Sequence, residues 1–164
     1  MVEKPIEIYT FGNNRFVGNS RGNIKYVSAY AFVMTYGDYH RAFGNALGNH
    51  TANYTEIYSL IQALRHVKNK NLPVIAYSQS SYLVNFIRNN SYANNDRRGW
   101  VRKGKPLPNR ELWWELRDVM AYFPNFKIYK LHYQTANVGL NWAKEIAREN
   151  LARTEAGQAP ITEL

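Results

Sequence analysis

The chain has 164 residues, of which 45% are hydrophobic and 20% are charged. This length and composition are typical of one folded domain with its own hydrophobic core. Cysteine is absent, which excludes disulfides, thiolate metal sites and cysteine nucleophiles. No apolar run approaches the roughly 20 residues of a membrane helix, and residues 1–5 lack the pattern of a signal peptide. We therefore expect a soluble cytoplasmic protein with no membrane partner.

The charge balance is strongly basic, with a formal net charge of +9 and a pI near 9.8. Such a balance favours polyanionic partners, above all nucleic acid. The 13 tyrosines and 4 tryptophans add rings that are able to stack on bases, although most rings of this kind belong to a core. Composition alone thus predicts nucleic acid as the partner.

The first third of the chain predicts three antiparallel strands. These strands are residues 6–11, 25–35 and 39–47. The first ends at Gly12, and residues 13–23 are so rich in glycine and asparagine that we expect a loop. Gly37 and Asp38 have the composition of a hairpin turn between the second and third strands.

The rest of the chain alternates between helical and extended patterns. Apolar residues recur at helical spacing after residues 51–53, from Ile57 to Val67. Three further helices are predicted. The first begins at Ser80 or Ser81, either of which is able to cap it, and runs to residue 87. The others span residues 110–122 and 138–152. Residues 74–78 and 126–132 are predicted strands, and residues 89–109 form a polar, basic segment.

This order of elements predicts the fold class. Three antiparallel strands followed by alternating helices and strands indicate an α/β fold, in which one mixed five-stranded sheet carries helices on both faces. We expect a single domain over residues 1–155, with the basic segment 89–109 inserted as a handle. A frayed tail is expected from Thr154, leaving residues 156–164 outside the domain.

Local motifs along nearly the whole chain resemble those of one known family. They are Ile-Tyr-Thr-Phe-Gly at 8–12, Thr-Ala-Asn-Tyr-Thr-Glu at 51–56, Tyr-Ser-Gln-Ser-Ser-Tyr-Leu at 77–83, and Arg-Arg-Gly-Trp at 97–100 followed by Lys105-Pro106, Asn109 and Leu112-Trp113. Together with the element order, they resemble a type 1 ribonuclease H of the bacterial kind, which carries a basic protrusion. The resemblance implies a ribonuclease H-like fold. It also implies RNA–DNA hybrid as the substrate of the family's active members.

The resemblance also implies where the family's catalytic residues should lie. In the family, four carboxylates hold two divalent ions that activate a water molecule and stabilise the leaving oxygen. The corresponding positions here are Phe11, Glu56, Gln79 and Lys144, and Gln134 stands where the family has a mobile histidine. Only Glu56 keeps a carboxylate, so the resemblance implies a catalytically degenerate homologue.

We expect the metal site to be lost and the protein to need no cofactor. Hard divalent cations require several oxygen ligands, preferably charged ones, whereas Phe11 offers no ligand and Lys144 repels a cation. We also expect the Lys144 ammonium to form an ion pair with Glu56, in place of the missing metal.

Two sets of residues are candidates for binding nucleic acid. The handle supplies Arg97, Arg98, Trp100, Arg102, Lys103 and Lys105, and the resemblance adds the groove residues Asn13, Asn14 and Asn53. Arginine and lysine contribute salt-dependent phosphate contacts. Asparagine amides are suited to the minor groove and to 2′-hydroxyl groups.

Three functions remain open at this point. The first is a nucleic-acid-binding pseudoenzyme that holds RNA–DNA hybrid, another duplex or a single strand without cleaving it. The second is a protein-interaction module built on an inactive ribonuclease H fold, with a protein as partner. The third is a residual manganese-dependent endonuclease that cleaves RNA–DNA hybrids.

Overall fold

A computed structural model of the chain describes residues 3–20, 23–132 and 136–163. The strands are β1 (Ile6–Ser20), β2 (Asn23–Tyr36), β3 (Tyr39–Ala46), β4 (Val74–Ser78), β5 (Val101–Arg102), β6 (Lys105–Pro106) and β7 (Phe126–Lys130). The helices are α1 (Ala52–Arg65), α2 (Ser81–Arg88), α3 (Ser91–Arg98), α4 (Arg110–Met120) and α5 (Val138–Glu155).

The main sheet has five strands in the order β3-β2-β1-β4-β7. Strands β1, β2 and β3 pair antiparallel, while β4 pairs parallel to both β1 and β7. The mixed five-stranded sheet predicted from the element order is therefore confirmed. The predicted hairpin turn joins β2 to β3, with Gly37 at a φ of +59°.

Helices cover both faces of this sheet, as predicted. The alternation of side chains along β2 shows the two layers: Tyr30 and Phe32 pack with the apolar residues of α1. Ala31 and Val33 point to the opposite face and pack with Ala143 and neighbouring residues of α5. Because successive side chains of a strand point to opposite faces, one strand contributes to both cores.

The first strand is longer than predicted. Residues 13–20, expected to form a loop, continue β1 and pair with β2 as far as Asn23, with an irregularity between Phe16 and Gly18. Phe16 and Val17 are exposed, so this outer part of the hairpin carries no buried face of its own. Inter-strand pairing satisfies its backbone groups, and a glycine- and asparagine-rich composition does not prevent that pairing.

The handle is also more structured than a polar segment suggests. Residues 89–109 contain helix α3 and the two-stranded sheet β5–β6. Four non-glycine residues of this segment adopt left-handed backbone conformations, namely Asn90, Trp100, Lys103 and Asn109. The chain therefore turns sharply at the ends of its short elements.

The tail after α5 docks on the domain, so the expectation of a frayed end is wrong. Helix α5 extends to Glu155, and the Gly44 N–H of β3 donates to the Thr162 carbonyl at 3.0 Å. The buried amide of Asn150 exchanges two hydrogen bonds with the backbone of Ile161, at 2.7 and 2.9 Å. Residues 161–163 therefore pack along the outer edge of β3.

Across the described ranges, no helix combines the length and apolar character that crossing a bilayer requires.

Candidate functional site

Four elements bring the positions of the family's carboxylates together at one end of the sheet. Phe11 lies on β1, Glu56 on α1, Gln79 directly after β4, and Lys144 on α5. The Ser78 hydroxyl donates to Oε2 of Glu56 at 3.5 Å, and the Lys144 Nζ lies 5.8 Å from the centre of the Phe11 ring. We call this group of four residues the remnant centre.

Glu56 is the buried carboxyl of the remnant centre, with a relative exposure of 8%. Burial raises its pKa to about 8, although hydrogen bonds from the Gly12 N–H and the Ser78 hydroxyl and the positive charge of Lys144 oppose the shift. Desolvation of the charged form outweighs these stabilising contacts. The carboxyl therefore gives up its proton less readily than an exposed glutamate.

Gly12 allows β1 to approach α1 closely enough for this contact. A Cβ atom at residue 12 would lie 2.4 Å from Oγ1 of Thr55 and 2.7 Å from the backbone nitrogen of Glu56. Such distances are far below van der Waals contact, so no other residue fits without movement of the backbone. The absence of a side chain thus places the Gly12 N–H against the Glu56 carboxyl.

The predicted ion pair between Lys144 and Glu56 is not formed. Within the described ranges no carboxylate oxygen lies within 4.0 Å of the Lys144 ammonium, which instead sits over Phe11. Glu56 is held in the interior by Gly12 and Ser78, whereas Lys144 stays on the partly exposed surface of α5. Desolvation and, next, the positive charge of Arg148 lower the pKa of Lys144, and Glu56 only partly offsets this.

Gln79 completes the remnant centre as a tethered amide. Its side chain is buried, and its Nε2 donates to the His132 carbonyl at 3.3 Å. This bond ties the end of β4 to the chain that follows β7. Gln134, which takes the position of the family's mobile histidine, lies outside the described residues.

The donor set does not match what a pair of divalent ions needs. It offers one carboxyl with a raised pKa and one amide, beside an aromatic ring and an ammonium. Throughout the described part of the chain, no group of three or more His, Cys, Asp or Glu residues is arranged to hold a metal ion. A pair of hard divalent cations requires several charged oxygen ligands. The four residues of the remnant centre do not supply these ligands.

The handle is anchored by an aromatic cluster that joins it to α2 and α4. Phe86 stacks on Trp113 with ring centres 3.7 Å apart, and Tyr92 and Trp100 pack around this pair. Trp100 is only 5% exposed, and its Nε1 donates to Asp96 at 2.9 Å. Trp100, predicted to contact nucleic acid, therefore has its indole buried and supports the handle from inside.

The surface of the handle carries the predicted cations. Arg97, Arg98, Arg102, Lys103 and Lys105 are all exposed. The salt bridges of the described residues involve none of these five side chains. The nearby Asp96 pairs with Arg117 at 2.9 Å instead. The outer face of the handle thus presents positive charge that no carboxylate neutralises.

The three predicted asparagines lie on two elements, Asn13 and Asn14 on β1 and Asn53 at the start of α1. Asn53 is exposed on the first turn of α1. The Asn14 amide donates to the His50 carbonyl at 3.2 Å, and Oδ1 of Asn13 accepts the Asn14 N–H at 2.9 Å. These bonds fix the loop before α1 against β1. The prediction that these amides contact nucleic acid remains a prediction.

Sequence reasoning did not single out Arg148, a second cation near Lys144 on α5. It lies one helical turn beyond Lys144 on α5 and is exposed. The i, i+4 spacing of two cations on one helix face was the available signal. The His50 ring was not expected to pack near Asn53, and it stacks on Tyr54 with ring centres 3.9 Å apart.

Comparisons with known proteins agree with this architecture. The RNase H family model matches residues 7–149. A ribonuclease H of Moorella thermoacetica is 33% identical over 129 residues, which cover 78% of this chain and 84% of that relative. A ribonuclease H of Clostridium botulinum is 29% identical over 147 residues, or 89% of this chain and 95% of that protein.

Solved structures share the fold at lower identity. The foamy viral protease–reverse transcriptase in complex with dsDNA has a TM-score of 0.72 at 22% identity, covering 91% of this chain and 95% of that chain. LC11-RNase H1 in complex with RNA/DNA hybrid has a TM-score of 0.66 at 20% identity, covering 92% and 99%. From the sequence match and the shared architecture together, we conclude that this chain belongs to the RNase H family.

Proposed function

We propose that this chain binds nucleic acid, as RNA–DNA hybrid or as another duplex or single strand, without cleaving it. One observation carries the proposal. Three of the four metal-coordinating positions hold Phe11, Gln79 and Lys144, while the five surface cations of the handle are present and unpaired among the described residues. A nucleic-acid-binding pseudoenzyme of the cytoplasm fits this combination.

The chemistry of the remnant centre argues against cleavage. Two-metal hydrolysis needs a pair of ions to activate water and to stabilise the leaving oxygen. Here the only carboxyl of the set has a pKa raised to about 8, and an ammonium stands where a fourth carboxylate would be. We therefore infer that the ancestral magnesium or manganese pair is lost.

The handle supports binding. Its exposed cations suit backbone phosphates, whose contacts give affinity that falls with salt and carries no sequence information. The two structural neighbours described above were solved with RNA/DNA hybrid and with dsDNA. A polyanionic nucleic acid is thus the partner best matched to this surface.

The direct test measures binding and cleavage in the same tubes. Purified protein is incubated with labelled RNA–DNA hybrid, duplex DNA and single strands, in magnesium or in manganese, with a Glu56→Gln variant in parallel. We expect gel shifts that weaken with added salt, and no cleavage above a mock preparation. Cleavage that Glu56→Gln abolishes would contradict the proposal and indicate a residual hydrolase, and absence of any shift would favour a protein partner.

A gain-of-function variant tests the stated cause of inactivity. The triple substitution Phe11→Asp, Gln79→Asp and Lys144→Asp returns four carboxylates to the remnant centre. We expect magnesium-dependent cleavage of RNA–DNA hybrid to appear in this variant and to disappear again when Glu56→Gln is added. If the folded triple variant stays inactive while still binding, the missing carboxylates are not the sole cause.

A further inference from the structure

Lys144 and Arg148 form a pair of cations beside the remnant centre that the handle does not account for. They lie one helical turn apart on α5, so their Cβ atoms are about 5–6 Å apart on one face of the helix. Arg148 is exposed and Lys144 is half-buried. Desolvation and, next, the positive charge of Arg148 lower the pKa of Lys144, which agrees with this spacing on the helix.

The carboxylates of α5 do not neutralise this pair. Glu149 pairs with Arg153 at 3.4 Å, and Glu155 pairs with Arg15 at 2.9 Å. Glu145 is exposed and points about 100° away from Lys144, which it follows directly. It lies three residues before Arg148, but the two side chains do not form one of the salt bridges of the described residues. Among the described residues, no salt bridge involves Lys144 or Arg148.

Lys144 and Arg148 lie on the part of α5 that is packed beside β1. Lys144 lies over Phe11, and Glu155 contacts Arg15 four residues further along the strand. Arg148 lies between these two points of approach, about 6 Å beyond Lys144 along α5 at a rise of about 1.5 Å per residue. Both cations therefore belong to the part of α5 that runs beside β1 from Phe11 to Arg15.

We propose that Lys144 and Arg148 bind backbone phosphates of nucleic acid directly, in the place where an active family member uses metal ions. Four carboxylates would repel a phosphate unless divalent ions neutralised them. Three of those carboxylates are absent here, and two fixed cations supply attraction without any metal. This inference rests on the proposed function and adds to it a metal-independent phosphate site distinct from the handle.

The test uses the salt dependence of binding to duplex DNA. Each phosphate contact contributes about 0.9 to the slope of log K against log salt concentration. We expect Lys144→Gln and Arg148→Gln each to lower that slope by about 0.9, and the double variant by about 1.8, while Lys144→Arg keeps it. Chelation of divalent ions should leave the affinity of the unaltered protein unchanged.

Lys68→Gln serves as the matched control, because Lys68 is an exposed cation outside the handle and away from the Lys144 and Arg148 pair. Thermal melts establish that every variant is folded. Slopes that stay the same in folded Lys144→Gln and Arg148→Gln variants, with binding otherwise intact, would overturn the inference and leave the proposed function standing. Affinity lost on chelation would also overturn it. If the unaltered protein does not bind at all, both the proposed function and the inference fail.

Discussion

The handle follows the pattern that the family resemblance predicts, whereas the remnant centre departs from it. The handle keeps its surface cations and an interior of stacked rings around Trp113. The remnant centre keeps its position in the fold, but only one of its four side chains is still a carboxyl. One region has the charge that the resemblance predicts, and the other has only the predicted framework.

Binding and catalysis place different demands on a sequence. Phosphate contacts are additive, and they tolerate a displaced or exchanged lysine or arginine. A two-metal centre needs all its ligands at once and in place. Loss of a single carboxylate therefore affects catalysis far more than binding, so the same fold is able to lose one activity and keep the other.

The largest effect is expected from Trp100→Ala, which tests whether the handle is part of the domain core. Removing a buried tryptophan should destabilise the protein by about 3–5 kcal/mol, because the indole packs between Tyr92 and Phe86. The free energy of unfolding from denaturant titration measures this. Val101→Ala, at an exposed neighbour, is the control and should change stability by less than about 0.5 kcal/mol. Equal effects would show that the handle is not anchored as described.

A charge-neutralised handle should lose most of its affinity for nucleic acid. Replacing Arg98, Arg102 and Lys105 with glutamine removes up to three phosphate contacts, so the salt slope should fall by up to about 2.7. At 0.1 M salt this corresponds to roughly a 500-fold loss, or about 4 kcal/mol. The control variant replaces Lys4, Lys68 and Lys127 with glutamine, which removes the same net charge from surfaces outside the handle. If both triple variants lose the same affinity, net charge governs binding rather than the handle.

A smaller effect, visible as pH dependence, is expected at Glu56. Its folded pKa of about 8 lies above the ordinary value of 4.5, so between these values the folded state holds a proton that the unfolded state has released. The free energy of unfolding should therefore fall as pH rises through this window, by about 1.4 kcal/mol per pH unit. Between pH 4.5 and pH 7 the total decrease should be about 3 kcal/mol.

Glu56→Gln should remove this slope, because glutamine is neutral at every pH, and the variant should be at least as stable as the parent at pH 7. Denaturant titrations at pH 5 and pH 7 measure the difference. Glu145→Gln, at an exposed carboxylate of α5, is the control and should leave the slope unchanged. A parallel pH dependence in the parent and in Glu56→Gln would mean that Glu56 is ionised in the folded protein.

The elements of the sheet core were predictable because burial leaves a pattern in the sequence. Strand β4 has the predicted bounds, since a short apolar run is enclosed between Pro73 and the cap at Ser80. The outer part of β1 was missed because a hairpin without a covering layer shows no apolar alternation. Helix α3 has no buried residues, so it left no helical periodicity to read.

The composition of the remnant centre was predictable, but its contacts were not. Aligning local motifs was enough to place Phe11, Glu56, Gln79 and Lys144 at one end of the sheet. The predicted ion pair failed because Glu56 is held by a backbone N–H that only the close approach at Gly12 makes available. Likewise, the burial of Trp100 depends on rings from three separate segments, which no local pattern reveals.

The docked tail has a consequence for handling the protein. Residues 161–163 cover part of the outer edge of β3, where Thr162 accepts from Gly44 and Glu163 is bridged to Phe43. An uncovered edge strand offers unpaired backbone groups to other chains and is a common starting point for aggregation. Cutting the chain after α5 would also leave the buried Asn150 amide without its partners. Shortened forms should therefore precipitate during purification, even though every residue of the proposed binding surface is intact.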